Sequence, residues 1–246
     1  MEDLLKLAKE DLEVAKLLYD KKKYSNSLYH YHQSVEKSIK YIGLSIGGIT
    51  TQKLNKEIGH DPINAFKHLF KYFKEQSNGL IPDIDPHLLT NAKKIIDSGS
   101  EKEVVNGAWN MIKSIINDGK IINDDQFPTA FEAVCDYIKR IAPTMDLGLD
   151  NDPYKKLVAI TMEKEAKNTI ILINYGMKIL QVLLMNSLIC SKFKPDNFRY
   201  PSDEFGNPIE YFNENNALII DLPLFMKSMN IPIEFAGKIK WGNKQQ

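Results

Sequence analysis

The sequence predicts an all-α fold, an up-and-down helical bundle with one long helix near residues 154–193 and an irregular C-terminal tail. Three observations carry that expectation. Apolar residues recur at alternating spacings of three and four through the first part of the chain, which is the seam of amphipathic helices and not the alternation of strands. Helix-starting and helix-stopping residues stand at the ends of those stretches. From Tyr154 to Phe193 only Gly176 interrupts a helical pattern, and at about 1.5 Å per residue such a helix would run roughly 60 Å.

The elements follow in order. Leu5, Ala8, Leu12, Ala15 and Tyr19 predict a helix over residues 2–21, and the polar run Asp20 to Lys23 breaks it. A second helix is expected over residues 25–46, with Leu28, Tyr31, Val35, Ile39, Ile42 and Ile46 as its core stripe and Gly47-Gly48 as its stop. The two make a helical hairpin. Asp61 is an N-cap with Pro62 at the first helical position, and Ile63, Phe66, Leu69, Phe70 and Phe73 form the apolar face of a third helix. A loop follows at residues 77–86, then shorter helices over 88–96, 102–116 and 128–141. The loop at 142–153 is either a domain boundary or a long surface connection. The long helix either bends near Gly176 or projects against a partner subunit. Beyond Lys194 there are four prolines between 195 and 223, and PIEYFNENNALIID reads as a small β-hairpin because two apolar runs flank Asn-Glu-Asn-Asn. The expected organisation is a bundle over 1–193, with inserted helices around 87–142, and an extension over 194–246 packed on the same domain.

Composition narrows the function. With 32 basic and 32 acidic residues, no global field draws the chain toward nucleic acid or an anionic membrane, so any such contact must be local. Only Arg140 and Arg199 supply guanidinium groups for bidentate phosphate recognition. Cys135 and Cys190 stand too far apart in sequence for a zinc-ligand spacing and make no disulfide framework, and the charged N-terminus is no secretory signal, so a cytoplasmic location is expected. The apolar run Thr169 to Cys190 is broken by Asn174, Lys178, Gln181 and Asn186, which predicts a buried helix rather than a membrane span. Lys21-Lys22-Lys23 reads as a solvated turn, diluted by Asp11, Glu13 and Asp20. Neither a Walker-type glycine loop nor a nucleophile elbow occurs, and no cofactor is expected.

The most informative stretch is SLYHYHQSVEKSIKYIG, residues 27–43. At about 100° per residue, Tyr29, Gln33, Glu36 and Lys40 form a polar stripe beside the core stripe, with His32 between the two. His30 lies with Lys37 on the far side, roughly 160° from His32, so the two histidines cannot share a metal from one helix. His32 and Glu36 have the i, i+4 spacing of a chelating or hydrogen-bonded pair, but no second such pair completes a bundle metal site. No metal site is expected. Burial would be costly for Glu36 unless Lys40, Tyr29, Gln33 or a neighbouring helix supplied partners.

These residues resemble the second-helix signature of HEPN domains (higher eukaryotes and prokaryotes nucleotide-binding). The matching positions are Tyr29, His30, His32, Gln33, Ser34, Val35, Glu36, Lys37 and Lys40. DLEVAKLLYDKKKYSNSLYH is similar to the family's first helix and its turn, GHDPINAFKHL to the entry of its third, and Arg199-Tyr200-Pro201 to a tripeptide common in the family. The middle segment and tail resemble elaborations of the larger abortive-infection branch. The resemblance implies a helical bundle, commonly dimeric, found in toxin, CRISPR-associated and phage-defence systems. Many members are metal-independent ribonucleases that use an Arg-x4-6-His motif to hold phosphate and move a proton.

Here neither arginine is followed by a histidine, since the last is His87. The leading expectation is therefore a catalytically silent protein whose groove of Tyr29, His32, Gln33, Glu36 and Lys40, with Lys167 and Arg199, takes a nucleotide, RNA or a protein partner. Two alternatives stand beside it. One is a ribonuclease with rearranged residues, His32 as base, Glu36 orienting it, and Lys167 or Arg199 holding phosphate. The other is a structural homodimer with no ligand.

Overall fold

The computed structural model describes residues 2–54, 58–76, 100–117, 176 and 178–238. The chain divides into two compact units, residues 1–117 with 179–246, and residues 118–178. The first unit contains the elements below. Helix α1 (Glu2–Asp20) and α2 (Tyr24–Ser45) form the expected hairpin. A single turn, α3 (Thr51–Lys53), leads to α4 (Pro62–Gln76), followed by α5 (Glu101–Asn117). Within this unit helix α6 covers 179–192, a 3-10 turn spans Pro195–Phe198, and α7 (Pro208–Tyr211) and α8 (Ala217–Lys238) complete the order. The described residues are mostly helical, with no strand among them. The expected loops at 77–86 and 142–153, the helices over 88–96 and 128–141, and residues 154–175 of the long helix lie outside the described residues.

The α1–α2 turn explains itself from the backbone. Lys22 adopts a left-handed φ of 56°. Its amide donates to the Tyr19 carbonyl and the Lys23 amide to the Leu18 carbonyl, both at 2.8 Å. That is a Schellman closure with lysine where glycine is usual. Below the turn the helices approach closely on small residues. Ser27 Oγ donates to the Ala15 carbonyl at 2.7 Å and Ser34 Oγ to the Ala8 carbonyl at 2.8 Å. All four residues are fully buried, and their shared seven-residue spacing lets the contact repeat two turns on. At the far end of α2, Gly47 takes φ of 80° and ends the helix as expected. Gly43 lies so close to Ile49 that a Cβ there would sit 2.3 Å from Ile49 Cδ1.

Helix α4 starts where the sequence places it, because Asp61 Oδ1 accepts from the Ile63 amide at 2.9 Å and the Asn64 amide at 3.3 Å. Helix α4 packs on α2, and α8 packs on α1, α2 and α5. Helix α6 is buried almost all round from Ile179 to Cys190, with Gln181 exposed, as a core helix should be. Among the described residues no helix is long and apolar enough to cross a membrane. Three polar residues cross this core: Tyr31 donates to Asn186 Oδ1 at 2.5 Å, Asn186 Nδ2 to Ser228 Oγ at 3.0 Å, and Ser228 Oγ to the Phe225 carbonyl at 2.7 Å. Each donor finds an acceptor, so α2, α6 and α8 are tied by a satisfied buried chain.

The tail corrects the expectation of an irregular extension with a β-hairpin. PIEYFNENNALIID is helix, turn, helix. Asn207 Oδ1 caps α7 through the Ile209 amide at 3.0 Å, and Asn216 Oδ1 caps α8 through the Leu218 and Ile219 amides at 3.0 and 3.3 Å. Between them Asn213 Oδ1 accepts from the Asn215 amide at 2.9 Å. Asparagine serves hairpin turns and helix caps equally, so the run of asparagines carried no decision between the two. Helix α8 also holds Pro223 and Pro232 inside its span. Pro223 has no amide to offer the Ile219 carbonyl four residues back, and that carbonyl instead accepts from the Tyr19 hydroxyl of α1 at 3.2 Å.

Candidate functional site

The polar stripe of α2 exists, and the fold divides it into an exposed rim and a buried seam. The rim is assembled by the chain leaving α6. Phe193, Phe205, Phe212 and Phe198 are buried together with ring centroids 5.2 to 6.1 Å apart along the cluster. The Phe198 carbonyl accepts from Ser25 Oγ at the start of α2. These two anchors set the next residue, Arg199, over the Tyr29 ring with 5.1 Å to the centroid, while the Tyr200 ring lies 5.4 Å from the same guanidinium. Arg199 is exposed, Tyr29 half-buried and Tyr200 56% exposed. Among the described residues no salt bridge ties Arg199 to a carboxylate. Two aromatic faces hold the cation without neutralising it, which leaves its N–H fork for an anion. Gln33 sits half-buried one turn along α2 from Tyr29.

The seam lies deeper. Glu36 is 4% exposed, and its Oε1 accepts from Lys40 Nζ at 2.6 Å and from His60 Nδ1 at 3.0 Å. His32 is 1% exposed and its Nε2–H donates to the Cys190 carbonyl at 3.2 Å, with the Phe198 ring edge-on at 6.4 Å. Burial holds the His32 imidazole below its ordinary pKa, opposed in part by the Glu36 carboxylate, so the ring is neutral at pH 7. Burial pushes the Cys190 thiol well up, and Glu36 adds to it; this cysteine is no nucleophile. Two atoms of the seam, His32 Nδ1 and Glu36 Oε2, are buried without a hydrogen-bond partner among the described residues.

His30 is elsewhere. Its Nδ1 donates to Asp11 Oδ1 at 2.9 Å, and Lys37 Nζ donates to the other oxygen of the same carboxylate. The two histidines of the stretch therefore engage α1 and α6 respectively and do not converge. Among the described residues no group of three or more His, Cys, Asp or Glu is placed to hold a metal ion.

Of the residues singled out in the sequence, Tyr29 and Arg199 are brought together from opposite ends of the chain, and His32, Glu36 and Lys40 meet in the seam. Lys167 lies outside the described residues. The sequence reading placed His32, Glu36 and Lys40 along a groove; in the structure all three are buried, with the Cys190 carbonyl of α6 on His32 and His60 of the loop before α4 on Glu36. Tyr200 and Phe198 were not anticipated as parts of the site, although both flank Arg199 in sequence. His60 as the partner of Glu36 could be read only as a histidine of unspecified three-dimensional role.

Comparison with known families matches residues 1–85 to the HEPN domain. No curated protein and no solved structure matches the chain.

Proposed function

We propose, from the HEPN domain at residues 1–85, that this protein binds the phosphate of a nucleotide or of RNA at the rim formed by Tyr29, Gln33, Arg199 and Tyr200, without cleaving it. The observation that carries the reading is the exposed guanidinium of Arg199, stacked against Tyr29 and beside Tyr200 with no ion pair to a carboxylate among the described residues. Arginine with adjoining aromatic faces offers both a phosphate fork and a stacking surface for a base.

Two features favour binding over cleavage. Neither arginine stands in an Arg-x4-6-His motif. The stripe's histidine, His32, is 1% exposed and already donates to a backbone carbonyl, so it cannot meet a ribose hydroxyl at hydrogen-bond distance. The biological setting we assign, phage defence or a toxin–antitoxin-like system acting as a homodimer or with a protein partner, follows from the kinship alone.

The test is binding of a labelled mixed-sequence RNA and of purine nucleotides in EDTA, with the RNA recovered and sized afterwards. Arg199→Ala should weaken binding about tenfold or more, the loss of roughly 1.4 kcal/mol or above that a charge-assisted contact represents. Lys71→Ala, an exposed lysine of α4, should leave it unchanged. Absence of binding by the wild type, or equal binding by Arg199→Ala, refutes the site. RNA cut by the wild type and intact with Glu36→Gln would replace the silent reading with the ribonuclease one.

A further inference from the structure

The two unpartnered atoms of the seam have a common solution. His32 Nδ1 and Glu36 Oε2 are both buried, on side chains one turn apart on the same face of α2, which puts their Cβ atoms about 5–6 Å apart. Both are hydrogen-bond acceptors. The Nε2–H of His32 is committed to the Cys190 carbonyl, so the neutral ring presents only a lone pair at Nδ1. Glu36 Oε1 already takes the Lys40 and His60 donors, and the second oxygen takes none among the described residues. Two acceptors cannot satisfy each other, and a carboxylate oxygen and an imidazole nitrogen left unpaired in the interior would both be destabilising. The Cys190 thiol, close enough for Glu36 to influence it, carries a single hydrogen and can serve at most one of them. A bound metal ion is not supported either, because among the described residues no group of three or more His, Cys, Asp or Glu is placed to hold one.

We propose that one internal water molecule bridges His32 Nδ1 and Glu36 Oε2, donating one hydrogen to each. Water is the smallest molecule with two donors, and buried waters characteristically rest on otherwise unsatisfied polar atoms. The bridge completes a continuous hydrogen-bonded line. It begins at His60, whose side chain is 84% exposed, passes through the Glu36 carboxylate and the water to the buried imidazole, and ends at the Cys190 carbonyl on α6. The proposal is independent of any ligand at Arg199.

A high-resolution crystal structure of the full chain should show a single ordered water within hydrogen-bond distance of both atoms. A dry site, or a water touching only one of them, overturns the bridge. In solution, nitrogen-15 spectra of the His32 ring should show the Nε2–H tautomer with Nδ1 accepting a hydrogen bond. Glu36→Leu should move the Nδ1 resonance toward that of an unbonded ring nitrogen, and Glu36→Gln, which keeps a polar group in place and guards against misfolding in the leucine variant, should keep it bonded. A Nδ1 resonance unmoved in Glu36→Leu, or already unbonded in the wild type, refutes the proposal.

Discussion

Replacing Lys40 with methionine tests whether the seam is an electrostatic unit. Glu36 and Lys40 pair at 2.6 Å with side chains only 5% and 11% exposed, so neither solvent nor salt screens the pair much. Methionine keeps the length and apolar stem of lysine, and removes the ammonium alone. The carboxylate then retains His60 at 3.0 Å, on a side chain that is 84% exposed and screened accordingly. Stranding one member of a buried pair typically costs 3–5 kcal/mol, and the remaining His60 contact places this case near the lower end, about 3 kcal/mol. With a urea m value of roughly 2 kcal/mol/M, the midpoint should fall by about 1.5 M with unchanged slope. The paired change Glu36→Leu with Lys40→Met removes both charges and should return to within about 1 kcal/mol of the wild type, since apolar replacements of a buried pair are often neutral. A loss below about 1 kcal/mol in Lys40→Met, or a double variant no better than the single, would refute a buried, mutually dependent pair.

Three further outcomes follow from the same geometry. Tyr19→Phe should cost about 1 kcal/mol in urea unfolding, because the Ile219 carbonyl loses its donor; in a Pro223→Ala background the cost should shrink, since residue 223 then supplies an amide. Lys22→Gly should stabilise by about 1 kcal/mol, measured the same way, because Lys22 occupies a left-handed conformation that only glycine adopts without penalty. The third concerns pH. His32 has its folded pKa lowered below the ordinary value of 6.5 by burial. Above that value the ring is neutral in both states. As pH falls through it, the unfolded chain takes the proton first, so stability drops until the folded ring also protonates. The fall in thermal midpoint between about pH 7.5 and pH 5.5 should therefore be smaller in His32→Phe than in the wild type; equal falls would show that His32 is not a group resisting protonation in the fold.

Legibility in the sequence tracked how local each interaction is. The hairpin, its stop at Gly47 and the Asp61 cap rest on periodicity and on residues a few positions apart, and all three were readable. The Tyr19 hydroxyl serving a carbonyl two hundred residues away was not, because no spacing rule links a tyrosine to a proline's missing amide. The same holds for α8. Pro223 and Pro232 argue locally against a helix, while the burial of Leu218, Leu222, Phe225 and Met229 along its face favours one, and tertiary packing decided it.

The site follows the same division. Helical angles alone placed Tyr29, Gln33, Glu36 and Lys40 in one stripe, and they share that side of α2. What angles cannot supply is depth. The Arg199 end is left open because the aromatic cluster fastens the chain through Phe198 and leaves the next residue outside. The Glu36 end is closed because Gly43 lets the following loop fold tightly back through Ile49, whose amide donates to the Gly43 carbonyl at 2.9 Å, ahead of the segment that delivers His60. A side chain at position 43 would hold that loop off, so the glycine seven residues after Glu36 belongs to the closure of the seam as much as His60 does. Depth in this site is thus written in residues that carry no chemistry of their own.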